Sequence, residues 1–415
     1  MSSTDLFAWM APSAPVNRAL WANPYPLFHR ARNEDPVHYS ASFDAWFLSR
    51  YEDVITAARD SRLSSRRASF KFEGLPPSER EAAKPFERSM HKWMMFSDAP
   101  EHPRLRSLFA KAFSPRIVEN MRPVIRRVVD ELIDRRAAEG RMDLMRDLAS
   151  PLPSIVVAEL LGVRSEDRSA FERWSDDIAL FAGAGHATLE RSRRAIESWR
   201  AMNACIREIV GRRRARPEDD FLSAMLVPDD RGDVLSEDEL LAMCVHLLAA
   251  GHGATQDMVC NSALLLMQNP ELMRTIQQSP ETIPGALEEF LRYESPLQVL
   301  TRVVRTDMTI GGRSIREGQR VIMMLGAANR DPATFPEPDT LDIRRQDNRH
   351  LAYGFGFHYC IGAPLARVEG QVVLEAFARR LSDMQLASRD VVWKTTMSFR
   401  GVESLPITFG GRTAR

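Results

Sequence analysis

A cysteine near the C-terminus lies in surroundings that favour metal chemistry. The run from Tyr353 to Gly362, YGFGFHYCIG, places Cys360 among glycines just before a helix predicted to begin near Ala363. Glycine lets the backbone approach a bulky flat object closely. A thiolate at the start of a helix is stabilised by the helix dipole and by unpaired N–H groups. Such a soft sulfur is a good iron ligand, and one cysteine suits haem better than an iron–sulfur cluster.

A long helix is the second element with unusual residues. Ser236 and Glu239 form a capping box, and the Leu- and Ala-rich pattern that follows predicts a helix to about Gln268. Its length is about 50 Å, and it is apolar on most sides, which predicts a buried position. Gly251 and Gly253 each cost about 1 kcal/mol relative to alanine inside a helix. Close approach of a flat cofactor, oxygen or a substrate would justify them.

The composition is that of an ordinary globular protein. Hydrophobic residues make up 44% and charged residues 27% of the 415 residues, and Lys+Arg and Asp+Glu are equal at 56 each. This balance gives no argument for nucleic acid or an anionic membrane as a partner. Cys205, Cys244, Cys260 and Cys360 show no paired spacing, and no run reaches the roughly 18 apolar residues of a membrane span. We therefore expect a soluble, cytoplasmic protein in a reducing compartment.

The periodicity predicts an α-dominant fold with small sheets near both ends of the sequence. A helix opens at Asn23, and a short hairpin over 38–48 precedes another helix. Residues 103–278 are helical in period, apart from loops near 151–153 and 217–233. Further strands are predicted near 303–304, 308–310, 320–324 and 405–409.

The Cys loop resembles the haem-binding signature of cytochromes P450, roughly F-G-x-G-x-H-x-C-x-G, with Tyr353 where phenylalanine is usual. The resemblance extends from about Asn23 to the C-terminal region. It implies the P450 fold, mainly α with small β-sheets, in a single domain over 1–415 whose two lobes interleave in sequence. It also implies that Cys360 binds the iron of haem b and is the catalytic ligand.

The resemblance further implies a soluble bacterial enzyme, monomeric, that receives electrons from a ferredoxin or flavodoxin with its reductase. Arg367 is a candidate member of the basic surface that would meet this partner. Residues 65–96 correspond to the region that covers the substrate pocket in the family. The glycine-rich break over 182–188 corresponds to the family's substrate-access lid.

An E-x-x-R pattern supports the same family. Glu289 and Arg292 lie one helical turn apart and can form an ion pair. The segment 328–345 resembles the P450 stretch between this helix and the Cys loop. The resemblance makes Arg345 the third member of the cluster, with a structural role in supporting the haem loop.

The resemblance also assigns residues to the haem propionates and to the substrate pocket. Buried carboxylates need cationic partners, and His102 and Arg106, four residues apart, share a helix face. The predicted propionate contacts are His102, Arg106, Arg302 and His358. The predicted pocket residues are Ala250, Leu297, Val299 and Phe399.

The long helix departs from the family at a functionally important point. P450s carry A-G-x-[D/E]-T here, and the acid–alcohol pair delivers protons for O–O bond cleavage. Aligned from Ala250, this chain has Gly253 and Ala254 in those two positions. Waters or a substrate hydroxyl could deliver the protons, Thr255 or Asp257 could replace the pair, or the reaction could need less of this relay.

Three functions are therefore considered. The first is a monooxygenase acting with dioxygen on a small organic molecule, a secondary metabolite. The second is an oxidative coupling or peroxide-dependent enzyme that inserts no oxygen. The third is a non-catalytic haem protein that senses a ligand. The sequence does not identify the substrate.

Overall fold

The computed structural model describes residues 5–73, 75–183, 188–229, 231–388 and 390–410. Within these ranges the α-helices are α1 Arg18–Ala22, α2 Tyr25–Glu34, α3 Tyr51–Arg59, α4 Pro77–His91, α5 Glu101–Ala110, α6 Pro115–Ala137, α7 Pro151–Leu160, α8 Arg168–Gly183, α9 Leu189–Ala215, α10 Phe221–Met225, α11 Glu237–Gln268, α12 Pro270–Gln278, α13 Ile283–Tyr293, α14 Leu325–Ala328 and α15 Ala363–Arg380. The strands are β1 Val37–Ser40, β2 Ala45–Leu48, β3 Leu63–Ser64, β4 Arg141–Asp143, β5 Val299–Val304, β6 Met308–Ile310, β7 Arg313–Ile315, β8 Arg320–Met324, β9 Gln385–Leu386 and β10 Pro406–Thr408.

Helix α11 is the centre of the helical layer. It packs against α7, α8, α9, α13 and α15, as expected for a helix that is apolar on most of its surface. The predicted capping box is confirmed, because the Glu239 N–H donates to the Ser236 hydroxyl at 3.3 Å and the Ser236 N–H donates to the Glu239 carboxylate at 2.9 Å. Cys244 and Cys260 on this helix are fully buried in the apolar core.

The main sheet joins distant parts of the chain. Its strand order is β1-β2-β8-β5-β3. The predicted hairpin is confirmed as β1–β2, and β2 pairs in parallel with β8. Strand β5 pairs antiparallel with β8, which places the residues after α13 beside the N-terminal strands. The strands predicted near 303–304, 308–310, 320–324 and 405–409 are confirmed, and the mainly α architecture with small sheets is confirmed with them.

Two local predictions were wrong. A loop was expected at 151–153, but α7 begins at Pro151, because proline is tolerated in the first helical turn, where its missing N–H has no helical partner. The helical period over 103–278 also hid β4, which pairs with β10 from the far end of the chain. The predicted break over 182–188 includes residues 184–187, which lie outside the described residues, so its lid role stays a prediction.

In the described part of the chain, none of the helices has the length and apolar content that crossing a membrane requires.

Because Ser236 caps α11, Ser236→Ala should lower the free energy of unfolding by about 1 kcal/mol. Urea unfolding followed by circular dichroism measures this change. Ser279→Ala is the matched control, since Ser279 occupies an N-cap position without a side-chain hydrogen bond to the helix. Equal losses in the two variants would contradict the capping role.

Candidate active site

Cys360 lies in a loop whose two ends are joined by a hydrogen bond. The Cys360 N–H donates to the Tyr353 carbonyl oxygen at 2.9 Å. Gly354 and Gly356 have φ angles of 72° and 69°, in the region that favours glycine. At Gly356 a β-carbon would also lie 2.7 Å from the Ala58 carbonyl oxygen near the end of α3. The path of the loop against α3 therefore requires glycine.

The Cys360 sulfur lies at the start of α15. Its side chain is solvent-accessible, yet protein atoms surround it closely enough that burial raises the pKa of the thiol. The N–H groups of Gly362 and Ala363 and the charges of Arg106 and Arg367 act in the opposite direction and lower this pKa. These donors stabilise an anionic sulfur. The loop therefore presents the soft ligand that its sequence predicts.

Basic side chains from separate segments converge beside this loop. They are Arg67, His102, Arg106, Arg302 and His358. The rings of His102 and His358 lie 3.9 Å apart between centroids. The Arg106 guanidinium donates to the Tyr359 carbonyl oxygen at 2.8 Å, next to the cysteine. Arg302 is only 5% exposed.

The positive charge in this basic cluster is only partly balanced, because the Asp98 carboxylate raises the pKa of Arg67 and of Arg302 without forming an ion pair with either. Among the described residues, no carboxylate lies within 4.0 Å of the guanidinium of Arg67, Arg106 or Arg302. Burial lowers the pKa of Arg67 to about 9, and the positive charge of Arg302 contributes to this shift. Burial lowers the pKa of Arg302 to about 10. Burial is the main cause that lowers the pKa of His358 to about 2, and the positive charge of Arg302 is the next. Such a cluster fits an anionic group that supplies carboxylates.

The middle of α11 is accessible, although the turns on either side are buried. Ala249, Ala250 and Gly251 all have accessible surface. At Gly253 a β-carbon would lie 3.8 Å from the Phe399 ring. Phe399 in turn forms a backbone bridge with Leu297. Three of the predicted pocket residues, Ala250, Leu297 and Phe399, therefore lie on adjoining surfaces.

Val299 has different surroundings. It is 7% exposed and belongs to the apolar cluster that includes Phe47 and Met324. Adjacent strand residues point to opposite faces of a sheet, and Leu300 is the residue whose side chain meets the Cys loop, 3.5 Å from a β-carbon at Gly354. This packing does not favour the pocket role predicted for Val299.

Thr255 and Asp257 are both engaged by other side chains. Thr255 is 5% exposed, and it lowers the pKa of the nearby Glu369 carboxyl of α15, which burial raises to about 8. Asp257 is 0% exposed and accepts a hydrogen bond from the Lys394 ammonium at 2.6 Å. Burial raises the pKa of Asp257 to about 6 although Lys394 opposes the shift. Their roles in proton delivery stay predictions.

His252 connects three helices. Its Nδ1 lies 2.9 Å from the Ser154 hydroxyl of α7, and its Nε2 lies 3.2 Å from the Asp176 carboxylate of α8. Burial, followed by the charge of Lys394, lowers the pKa of His252 to about 4, so the ring is neutral; it is hydrogen-bonded to Ser154 and lies close to the Asp176 carboxylate. These contacts assign His252 a structural role.

The E-x-x-R residues form a fully buried ion pair. The side chains of Glu289 and Arg292 are both 0% exposed, and two hydrogen bonds of 2.8 Å join them. The Arg345 Nε lies 3.2 Å from the same carboxylate. The structure thus brings the three predicted residues together.

Arg292 also fixes the chain that leads to the Cys loop. Its guanidinium donates to the carbonyl oxygens of Asn329 at 3.0 Å and Pro338 at 2.8 Å. The Asn329 side chain accepts from the Leu351 N–H at 2.7 Å, just before the loop begins. The ion pair therefore supports the loop through backbone carbonyls of the preceding segment.

Two arginines have positions that the sequence did not reveal. Arg67 joins the basic cluster, but it comes from a charged stretch with only a weak period. Arg367, expected on a basic partner surface, donates twice to Glu288 at 2.8 Å and lies 4.5 Å from the centre of the Tyr353 ring. Its charge is therefore paired beside the Cys loop, which does not favour a role in attracting an electron donor.

The family model described as cytochrome P450 matches residues 56–388. This match covers more than half of the chain and includes the E-x-x-R helix and the Cys loop. The chain belongs to the cytochrome P450 family. Its fold is the P450 fold, as the resemblance predicted, and the family's cofactor is haem b.

Named bacterial P450s align with nearly the whole chain. The polyketide biosynthesis cytochrome P450 PksS of Bacillus subtilis is 34% identical over 408 residues, covering 95% of this chain and 98% of the relative. The mycinamicin IV hydroxylase/epoxidase of Micromonospora griseorubida is 39% identical over 372 residues, covering 88% and 90%. Among solved structures, CYP109Q5 from Chondromyces apiculatus has a TM-score of 0.86 at 33% identity and covers 98% of each chain.

These similarities identify the protein as a P450 monooxygenase that oxidises a small organic molecule with electrons from a redox partner. The prediction of monooxygenation in secondary metabolism is confirmed at this level. Oxidative coupling and ligand sensing receive no support from these relatives. The residues also fit the cofactor, because the Cys360 sulfur lies beside Arg67, Arg106 and Arg302, which make no ion pair among the described residues.

Arg292→Met should lower the free energy of unfolding by about 3–5 kcal/mol, because it leaves the Glu289 carboxylate buried without its partner. Chemical unfolding of the haem-loaded protein measures the loss. Arg274→Met is the matched control. Arg274 pairs with Glu271 in a second E-x-x-R on α12, where the two side chains are 58% and 81% exposed, and exposed pairs contribute at most about 1 kcal/mol. Similar losses in both variants would contradict the special role of the buried pair.

Proposed function

We propose that this P450 binds haem b through the Cys360 sulfur and oxidises a small, largely apolar secondary metabolite. His102, Arg106, Arg302 and His358 would bind the propionates, and Arg67 joins them. The observation that carries this proposal is the basic cluster beside Cys360, whose guanidinium groups are buried without carboxylate partners among the described residues. Two propionates would supply the missing negative charge.

Bound haem supplies the activation of dioxygen and the oxidising power. The residues of the chain hold and orient the reactants. The N–H groups of Gly362 and Ala363 favour the anionic form of the sulfur, against the larger effect of burial on its pKa. Ala250 and Phe399 offer apolar surfaces that orient the substrate and exclude water from it. Glu289, Arg292 and Arg345 hold the loop in place and take no chemical part.

We further propose that waters or a substrate hydroxyl deliver the protons for O–O bond cleavage. Gly253 and Ala254 carry no side chain that can donate a proton. Thr255 lies beside the Glu369 carboxyl, and Asp257 accepts a hydrogen bond from Lys394, so both side chains have partners in the protein. Proton delivery by Thr255 or Asp257 is the second hypothesis, supported by the second oxygen of Asp257, which has no hydrogen-bond partner among the described residues.

The physiological context is also proposed. The relatives named for mycinamicin IV and for 6-deoxyerythronolide B, the latter 35% identical over 398 residues, favour a polyketide-like substrate. We propose a ferredoxin or flavodoxin with its reductase as the electron donor. We also propose that residues 1–415 act as one monomeric catalytic domain in the cytoplasm.

Cys360→Ser should abolish the red-displaced Soret band that thiolate-bound haem gives after reduction and addition of carbon monoxide, because an alcohol is a hard and weakly acidic ligand. The absorbance spectrum of freshly purified protein measures this band. Cys205→Ser, in α9, is the matched control and should keep the band. A wild-type protein without the band would disprove the assignment of Cys360.

Monooxygenation by dioxygen predicts that one atom of ¹⁸O₂ appears in the product. A metabolite panel is first screened for the spin shift that accompanies substrate binding, and mass spectrometry then follows the turnover of a binding compound. Coupled or dehydrogenated product without label would instead support the second class of reaction.

If waters or the substrate deliver the protons, Thr255→Ala and Asp257→Asn should leave the ratio of product formed to reductant consumed within about twofold of wild type. A general acid contributes about 10²–10⁴-fold to a proton-transfer step, so loss of a true donor would uncouple the reaction strongly. A large fall in either variant would identify that residue as the donor.

A further inference from the structure

Two aromatic nitrogens without hydrogen-bond partners lie side by side next to α11. The Trp93 Nε1 and the His246 Nδ1 are both buried and unpartnered among the described residues. The two rings stack, with centroids 5.5 Å apart and an interplanar angle of 22°. Buried polar atoms normally have partners, so two neighbouring exceptions require an explanation.

These rings lie on the side of α11 that the pocket residues occupy. His246 and Gly253 are seven residues apart, which brings them within about 20° of the same direction on a helix. Gly253 faces Phe399. Trp93 also stacks on Phe96 with centroids 5.9 Å apart, and the Arg67 guanidinium lies 5.0 Å from the centre of the Phe96 ring. The stack therefore leads from the basic cluster to the pocket face of α11.

The chemistry of the pair selects a neutral ligand group. Burial lowers the pKa of His246 to about 4, so the neutral ring offers one donor and one acceptor, while the indole offers a donor. The surrounding side chains Met94, Phe86 and Phe96 are buried and apolar. A charged group would lose its hydration there without a counter-charge. A hydroxyl or carbonyl oxygen matches both nitrogens.

We propose that Trp93 and His246 form the polar end of the substrate pocket and bind a neutral hydroxyl or carbonyl oxygen of an otherwise apolar substrate. This contact selects which carbon of the substrate is presented for oxidation. The two nitrogens are covered in this conformation, so binding includes a side-chain adjustment of the kind common at ligand contacts. The proposal rests on the haem site described above, because that site sets the other end of the pocket.

The test uses the haem-loaded protein and probes whose binding does not depend on the natural substrate. 1-Alkylimidazoles with chains of four to twelve carbons bind haem iron through the azole nitrogen. Each is compared with the analogue that ends in a hydroxyl group, and dissociation constants come from difference spectra. The wild-type protein should bind the hydroxyl-ended probe at least as tightly as its methyl-ended partner at one or two chain lengths. At other lengths the buried hydroxyl should weaken binding roughly tenfold.

His246→Phe and Trp93→Phe keep the aromatic stack and remove the nitrogens. In each variant, the dissociation constant of the hydroxyl-ended probe at those chain lengths should rise roughly tenfold relative to wild type. The dissociation constants of the methyl-ended probes should not change. Leu247→Met, a volume-conserving change on α11, is the matched control and should keep the preference. The ligand-free Phe variants should melt at the same temperature as wild type or higher, because they remove unpartnered polar groups.

The proposal would be overturned if the wild-type protein bound the hydroxyl-ended probe more weakly than the methyl-ended probe by the same factor at every chain length. It would also be overturned if the Phe variants bound the two probes in the same ratio as wild type. A protein that shows no azole spectrum at all would instead contradict the haem site itself, so the two failures are distinguishable.

Discussion

The arrangement of the chain around Cys360 depends on one buried carboxylate, that of Glu289. It accepts hydrogen bonds from Arg292, from Arg345, from the Asn348 amide at 3.1 Å and from the Asp342 N–H at 2.9 Å. A buried charge is strongly unfavourable unless such donors surround it. Because all of these donors except Arg292 come from the segment just before the Cys loop, satisfying this one charge fixes the course of that segment. The position of the sulfur follows from an ion pair that takes no part in the chemistry.

The second cluster of charges near Cys360 is balanced differently. Around Glu289 the opposite charges are supplied by the chain itself, whereas Arg67 and Arg302 lie close together without an ion pair among the described residues, and the charge of Asp98 offsets theirs only in part. Their mutual repulsion disfavours the folded state until an anion is bound. A ligand that binds only the folded state stabilises it. We therefore expect cofactor binding to contribute directly to the stability of this region, in contrast to the self-contained Glu289 pair.

Motifs with fixed spacing could be predicted from the sequence, and contacts between irregular segments could not. The Cys loop, the Glu289–Arg292 pair and the cap at Ser236 depend on residues close together in the chain, so local rules describe them well. Arg67 has no such rule, because its position depends on how a weakly periodic stretch packs. Val299 shows the same limit, since strand alternation alone does not say which face of β5 meets the pocket. Strand β4 was missed because its partner, β10, lies more than 260 residues away.

The contacts of His252 with Ser154 and Asp176 affect how α8 can move relative to α11. Asp176 lies on α8, and His252 lies between the two glycines at the accessible centre of α11. A displacement of α8 away from α11 must separate the Asp176 carboxylate from the imidazole and leave the ring in contact with one polar partner, Ser154. The free energy of separating the helices therefore includes that of rearranging polar groups beside the reaction centre. If a ligand binds more tightly when α8 is packed against α11, then its binding also stabilises that position of α8. The two effects are reciprocal and equal in free energy.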